Sequence, residues 1–338
     1  MRSIASRIIY CALGFIVGGI FANNVSAHEP GDFSQYFRGV SIGDPVGAAP
    51  PPGIYFENAT MWAPEARGYG QVSAFKVNAP AEIPTLFWST GWNLFGASVV
   101  MAVSQPYYEV NAWSSATPGP PFTGATHYPA VHNTWINPLT LSWNFKNGWF
   151  ASTSVSFYVP DGSRYNNSPN PDYWTFEPSA AISYLGDGLD LTARFVYNVN
   201  KASAGHTGAF AGTPAAAFGI GYRSGDQAYL DLTATRKFGK WEVGPVGYLK
   251  WQTTADRPGG GFSCATMAAV TGVPCGRATD VAVGALIGYD FGLLTLKTFI
   301  TESLYTKDDF GGLLIWTKLA FRLWGPDIVE RPAPLIHK

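Results

Sequence analysis

From residue 54 to residue 324, apolar and polar side chains alternate with a period of two, in segments joined by connections that are by turns tight and long. Such alternation puts every second residue on one face of an extended strand. Trp241, Val243, Pro245, Gly247, Leu249 and Trp251 share one face, and Glu242, Gly244, Tyr248, Lys250 and Gln252 share the other. The split recurs with Leu189, Leu191, Ala193, Phe195 and Tyr197 against Asp190, Thr192, Arg194 and Asn198. It appears again with Trp149, Ala151, Val155 and Phe157 against Ser152, Ser154 and Ser156, and with Ile315, Leu319, Phe321 and Leu323 against Lys318 and Arg322.

The pattern predicts twelve strands over residues 54–62, 84–90, 93–104, 138–145, 148–158, 174–185, 188–198, 228–238, 240–252, 279–290, 292–303 and 313–324. Tight turns are expected at Thr90-Gly91-Trp92, Lys146-Asn147-Gly148, Gly186-Asp187-Gly188, Phe238-Gly239-Lys240 and Asp290-Phe291-Gly292, each with the Gly, Asn or Asp that a hairpin requires. The long connections cover 63–83, 105–137, 159–173, 199–227, 253–278 and 304–312. An even strand number with both termini on the short-turn side predicts an all-β fold, a transmembrane antiparallel up-and-down β-barrel with short periplasmic turns and long extracellular loops. Hydrocarbon satisfies no backbone N–H or C=O, so a sheet that crosses a membrane has to close on itself. Trp88, Trp92, Trp143, Trp149, Tyr173, Trp174, Trp241, Trp251 and Tyr289 gather near strand ends, where rings suit the headgroup depth.

Composition narrows the alternatives. Charged residues make up 13% of the chain, well below the roughly 25% of a soluble domain, and 22 basic residues face 23 acidic ones. No basic stripe is present to neutralise phosphates, so nucleic acid is not an expected partner. No uncharged apolar run after residue 28 is long enough for a spanning helix, which excludes a polytopic helical membrane protein. A secreted soluble all-β protein would alternate too, but it would have to hide an apolar face of nearly every strand in one interior.

Residues 1–27 read as a signal peptide: Arg2 and Arg7, an apolar stretch from Ile8 to Phe21, and Val25-Ser26-Ala27 before the cleavage point. Removal takes away two arginines and no acid, leaving 20 basic and 23 acidic residues. Three further parts are expected: a periplasmic segment at 28–53, the barrel at 54–324, and a periplasmic tail at 325–338 with three prolines. The first strand begins about 26 residues after the cleavage point, too soon for a folded plug domain. Cys264 and Cys275, in a Gly/Pro-rich loop of an oxidising compartment, are expected to form a disulfide; without a Cys-x-x-Cys or a His cluster, no zinc site is expected.

Several segments resemble an outer-membrane family named for the MetA pathway of phenol degradation, also called phenol degradation protein meta. They are Pro50-Pro51-Pro52-Gly53-Ile54-Tyr55-Phe56, Pro138-Leu139-Thr140-Leu141-Ser142-Trp143, Trp174-Thr175-Phe176-Glu177-Pro178, Ile182-Ser183-Tyr184-Leu185, Tyr197-Asn198-Val199-Asn200, Tyr222-Arg223-Ser224-Gly225-Asp226 and Gly244-Pro245-Val246-Gly247-Tyr248. They occur in family order across most of 50–324. Members often carry Gly-Asp where this chain has Asn133-Thr134-Trp135-Ile136-Asn137, a departure next to a loop that bears on ligand preference rather than fold. The resemblance implies a barrel tied by name to the breakdown of aromatic compounds, with transport inferred and no catalytic residues to carry over.

No residues of the sequence form a catalytic or cofactor-binding motif: the phosphate loop, His-Glu-x-x-His and Gly-x-Gly-x-x-Gly patterns are all missing, and no enzyme activity or cofactor is expected. His28, His127, His132, His206 and His337 map to loops or termini, where a lone histidine is solvated. Alternation points Glu177, Asp190, Arg194, Asp231, Lys237, Glu242, Lys250, Lys297, Lys318 and Arg322 into the lumen, with Tyr248, Phe299 and Trp316 as ring surfaces. Six cations against four acids lean weakly toward anions. In the loop 105–137, Trp113, Phe122, His127 and Tyr128 are candidates for a constriction. These readings predict a channel for passive uptake of small aromatic or hydrophobic compounds, an aromatic acid being the cargo for which a bilayer is the greater barrier. The alternative is a non-transporting structural or adhesive barrel acting through its loops. Outer-membrane lipid and a small, aromatic solute are the expected partners.

Overall fold

The computed structural model describes residues 34–70, 73, 75–114, 126–162, 170–201, 222–258, 263–266 and 275–326. Seventeen strands lie among these residues: β1 (Gly53–Gly68), β2 (Phe75–Leu94), β3 (Ala97–Ser104), β4 (Tyr107–Ser114), β5 (Thr126–Val131), β6 (Thr134–Lys146), β7 (Trp149–Val159), β8 (Thr175–Gly186), β9 (Leu189–Asn200), β10 (Tyr222–Arg223), β11 (Gln227–Phe238), β12 (Trp241–Gln252), β13 (Arg257–Pro258), β14 (Thr279–Asp290), β15 (Leu294–Lys307), β16 (Phe310–Gly311) and β17 (Leu313–Trp324). Twelve of them are the staves of a closed antiparallel barrel, in the order β1-β2-β3-β6-β7-β8-β9-β11-β12-β14-β15-β17. The ring closes where β17 pairs β1 from Ile54↔Trp324 to Trp62↔Ile315. Every expected strand has its stave. The signal peptide and the tail beyond residue 326 lie outside the described residues.

The tight turns follow local chemistry. Asn147-Gly148 and Asp187-Gly188 take positive φ at both positions, the backbone twist that suits a two-residue hairpin. One turn is displaced from its expected place. Gly91, with φ of 76°, lies inside β2 beside a register shift between Ser89 and Asn93, and the chain reverses at Phe95-Gly96. A glycine with positive φ serves a bulge as readily as a turn, and here it serves the bulge.

Outward faces are apolar and ringed by aromatics. Trp88 meets Trp92, Trp149 meets Tyr184 and Trp241 meets Tyr289, with ring centroids 5.6, 5.1 and 4.7 Å apart, at the short-turn rim. Towards the other rim Phe157 meets Phe176 and Phe195 meets Trp251. These two girdles bracket the lipid-facing band.

The long-loop rim is built up on one side. β1 and the first half of β2 rise above the other staves, and β4 and β5 add to them as a hairpin, Lys76↔Trp113 and Asn111↔His127 marking the registers. The described residues of the segment 105–137 therefore raise the wall instead of crossing the mouth.

A larger departure concerns residues 34–52. They do not lie beneath the barrel as a periplasmic segment; they run down its interior from the long-loop rim, where Gln35 Nε2 donates to Tyr173 O, to the short-turn rim, where Arg322 donates to Pro52 O, as a plug of chain without strands. Successive turns shorten it, with Val40 N–H donating to Phe37 O, Ile42 to Gly39 and Asp44 to Ser41. Small side chains on the inner wall leave the room. Ser142, Ser152, Ser154, Ser156, Ser179 and Ser183 are all buried, and side chains of that size do not fill a ring of twelve staves. Ser152 Oγ donates to Val46 O, Ser142 Oγ to Gly47 O, and Gly47 N–H to Ser183 Oγ, at 2.7, 2.8 and 3.0 Å.

Midway, the Lys318 ammonium, 2% exposed, pairs with Asp44 of the plug and lies 3.6 Å from Glu57 of β1. Removing one partner of a buried pair leaves the other charge uncompensated. Lys318→Ala is expected to destabilise the barrel by about 3–5 kcal/mol, read from urea unfolding of the lipid-reconstituted protein by tryptophan fluorescence. A change below about 1 kcal/mol would mean that the pair is solvated.

Candidate functional site

The lumen is the candidate site, and its geometry follows from alternation. Buried positions on each stave are the inward ones, such as Tyr229, Asp231, Thr233 and Thr235 on β11 and Glu242, Val246, Tyr248 and Lys250 on β12. Two faces result. A polar face on β6, β7, β8 and β11 hydrogen-bonds the plug. An apolar face, formed by Ala59, Ala63, Ile83, Tyr248, Leu286, Phe299, Leu314 and Trp316 with Tyr108 and Val110 of the hairpin, packs against Ile42, Phe37 and Val40. Phe299 and Trp316 stack there, with centroids 5.8 Å apart and planes 15° from parallel.

The charged candidates are brought inside but are not free. Lys297 Nζ sits 3.0 Å from Glu242 Oε2 and also donates to Gly43 O. Lys250 Nζ lies 2.7 Å from Asp309, and Arg38 of the plug reaches Asp280 at 2.7 Å and Asp309 at 3.6 Å. Glu177 accepts from Trp135 Nε1 at 2.9 Å and Asn198 Nδ2 at 2.8 Å. Asp231 accepts from Tyr36 Oη, Gly39 N, Ser41 N and Ser41 Oγ, so one carboxylate anchors the upper plug. Asp190 is buried against Thr192. Two cations stand elsewhere. Lys237 is exposed at the short-turn rim, and Arg322 clasps Pro52 O and Pro326 O, at 2.9 and 2.7 Å, where the plug enters. Asp44, Glu57, Asp280 and Asp309, acids absent from the inward set read from the sequence, stand among the cations. The lean toward anions therefore disappears.

Of the loop candidates, Trp113, His127 and Tyr128 have their backbones in the β4–β5 hairpin, and Phe122 lies outside the described residues. Cys264 and Cys275 are joined as a disulfide, with Cα atoms 5.4 Å apart. Residues of the plug were missed by the strand template because they alternate with nothing. The signal that could have exposed them is the run of inward serines, too small to fill the interior they face.

His132, expected to be solvated, is 1% exposed. It sits in the two-residue link between β5 and β6, ringed by Phe37, Tyr108 and Tyr158 at centroid distances of 5.0, 5.7 and 6.1 Å. Burial pushes its imidazole down to about 4, against the weaker opposing pull of the Asn133 carbonyl and Asp161. A base held neutral when folded takes up its proton on unfolding, so stability is full above about 6.5 and falls as pH drops toward 4. The expected loss across that window is about 3 kcal/mol relative to His132→Phe, measured by urea titration at pH 7.5 and 4.5. Parallel pH profiles for the two proteins would refute it.

The fold matches that of a solved outer-membrane channel. An outer membrane channel of the COG4313 group from Pseudomonas putida F1 superposes with a TM-score of 0.64 at 13% identity, over 83% of this chain and 99% of that one. The transport unit of the autotransporter AIDA-I from Escherichia coli gives 0.46 at 9% identity over 93% and 96% of the two chains. The toluene transporter TbuX from Ralstonia pickettii gives 0.38 at 8% identity over 88% and 96%. None of the curated proteins matches the chain. The family profile described as "Putative MetA-pathway of phenol degradation" matches residues 63–319, most of the barrel, and this outer-membrane protein belongs to that family.

Proposed function

We propose that the protein is a channel for passive uptake of small aromatic or hydrophobic compounds across the outer membrane, with residues 34–52 as the element that narrows its path. The observation that carries this reading is the apolar face of the lumen. Tyr248, Phe299, Trp316 and Leu286 turn inward and are covered by Ile42, Phe37 and Val40 of the plug, so a path opened beside them would be lined by rings and aliphatic carbon, which favour an aromatic solute over an ion. An aromatic solute gains there what water loses, by ring contact and exclusion from solvent. The family's link to phenol degradation agrees with this choice of cargo. With the lumenal cations held by acids, neutral compounds fit better than the aromatic acids that bilayer permeability alone suggests.

A sealed barrel acting through its loops is the second reading, and the occupied lumen favours it. Entry of a hydrophobic probe into intact cells separates the two. Lipopolysaccharide excludes N-phenyl-1-naphthylamine, whose fluorescence rises once it reaches inner lipid. Cells producing the protein are expected to take up the probe several-fold faster than cells without it, with hydrolysis of a polar β-lactam by periplasmic enzyme unchanged as the test of an intact membrane. Equal rates from a barrel shown to be folded by its heat-modifiable gel mobility would leave the sealed reading standing.

A further inference from the structure

The plug carries a phenol of its own, and the wall holds it as a ligand would be held. Tyr36 is 3% exposed. Its ring lies against Tyr229 with centroids 4.7 Å apart, the Arg194 guanidinium stands 5.9 Å from its centroid, and Val196 packs beside it. Its hydroxyl donates to Asp231 Oδ2 at 2.6 Å. These four wall residues form a compact facet, since Tyr229 pairs Val196 and Asp231 pairs Arg194 on the neighbouring staves β11 and β9. One face thus offers a ring partner, a cation over the ring, an aliphatic floor and a carboxylate placed for one O–H.

We infer that the Arg194–Val196–Tyr229–Asp231 facet is a binding site for a neutral aromatic hydroxyl, and that Tyr36 is its tethered occupant, with which a free phenol competes. The chemistry selects the class. Asp231 keeps the Gly39 and Ser41 donors of the plug, so what an aromatic hydrocarbon without a hydroxyl forgoes is the short O–H bond that Tyr36 makes, while a carboxylate or phenolate meets the acid with like charge. Because Gly39 and Ser41 hang from the same carboxylate, a phenol seated in place of Tyr36 loosens the upper plug. This deepens the proposed uptake function and rests on it only for the consequence that the path opens. A tether acts as a local concentration of about millimolar, so free phenol is needed at that level or above.

Chemical rescue tests the site. Tyr36→Ala in detergent micelles, with folding checked by heat-modifiable mobility, is titrated with 4-fluorophenol and with fluorobenzene by fluorine NMR. The variant is expected to bind 4-fluorophenol about tenfold or more tightly than fluorobenzene, and Tyr36→Ala/Asp231→Ala is expected to lose that preference. In the wild type, phenol is expected to speed deuterium exchange at Gly39 and Ser41; should Tyr36→Ala fail to fold, Tyr36→Phe is expected to show the same acceleration at lower phenol. Equal affinity for the two probes, or full binding without Asp231, would reduce the site to an apolar cavity and overturn the inference. Unchanged exchange in both the wild type and Tyr36→Phe would overturn the competition. Binding in micelles involves no transport, so phenol binding without uptake in cells refutes only the channel, and uptake without a phenol site refutes only this assignment.

Discussion

The constraint on which everything else depends is the pairing of backbone N–H and C=O groups in a solvent that offers none. Each stave bonds to two neighbours, and the ladder between β1 and β17 removes the last two edges. Once the ring is closed, side chains have only two environments, lipid outside and a shared interior. The alternation in the sequence is the record of that division. Serine, lysine and glutamate at every second position would be costly against hydrocarbon, and leucine, tryptophan and phenylalanine between them would be exposed in an aqueous lumen.

Closure also creates a space that the staves do not fill. Inward serines on β6–β8 and inward alanines on β1 and β2 leave a volume that has to hold water, solute or chain. Residues 34–52 take much of it, and their contacts explain why so many ionisable groups tolerate burial. Lys318 meets Asp44 and Glu57, Arg38 meets Asp280, and Lys297 meets Glu242 and a plug carbonyl. Charges that look like a conduction track when staves are considered singly turn out to be fastenings of the plug.

The two faces of the interior divide the work. Polar contacts on the β6–β9 and β11 side hold the plug in register, while the apolar side packs rings and aliphatic carbon against Phe37, Val40 and Ile42. Tyr36 sits on the polar side, with its ring against Tyr229 and its hydroxyl on Asp231, both of β11. A segment fastened by replaceable hydrogen bonds is easier to displace than a packed domain, because each bond surrendered within the protein can be remade with water or a solute.

Strand number, stave positions and most turns were legible in the amino-acid sequence because their causes are local. A period of two reports which face of a strand meets lipid, and Asn147-Gly148 or Asp187-Gly188 reports a reversal. Gly91 shows the limit of that logic, since the same backbone freedom suits a bulge and a turn. The disulfide was legible from compartment and spacing. The plug, the fate of the lumenal charges and the burial of His132 were not. Tyr36 and Asp231 stand 195 residues apart, and their hydrogen bond exists only after twelve staves have closed around both. Local pattern states which way a side chain faces; what it meets there depends on an enclosed volume, and only the closed ring sets that volume.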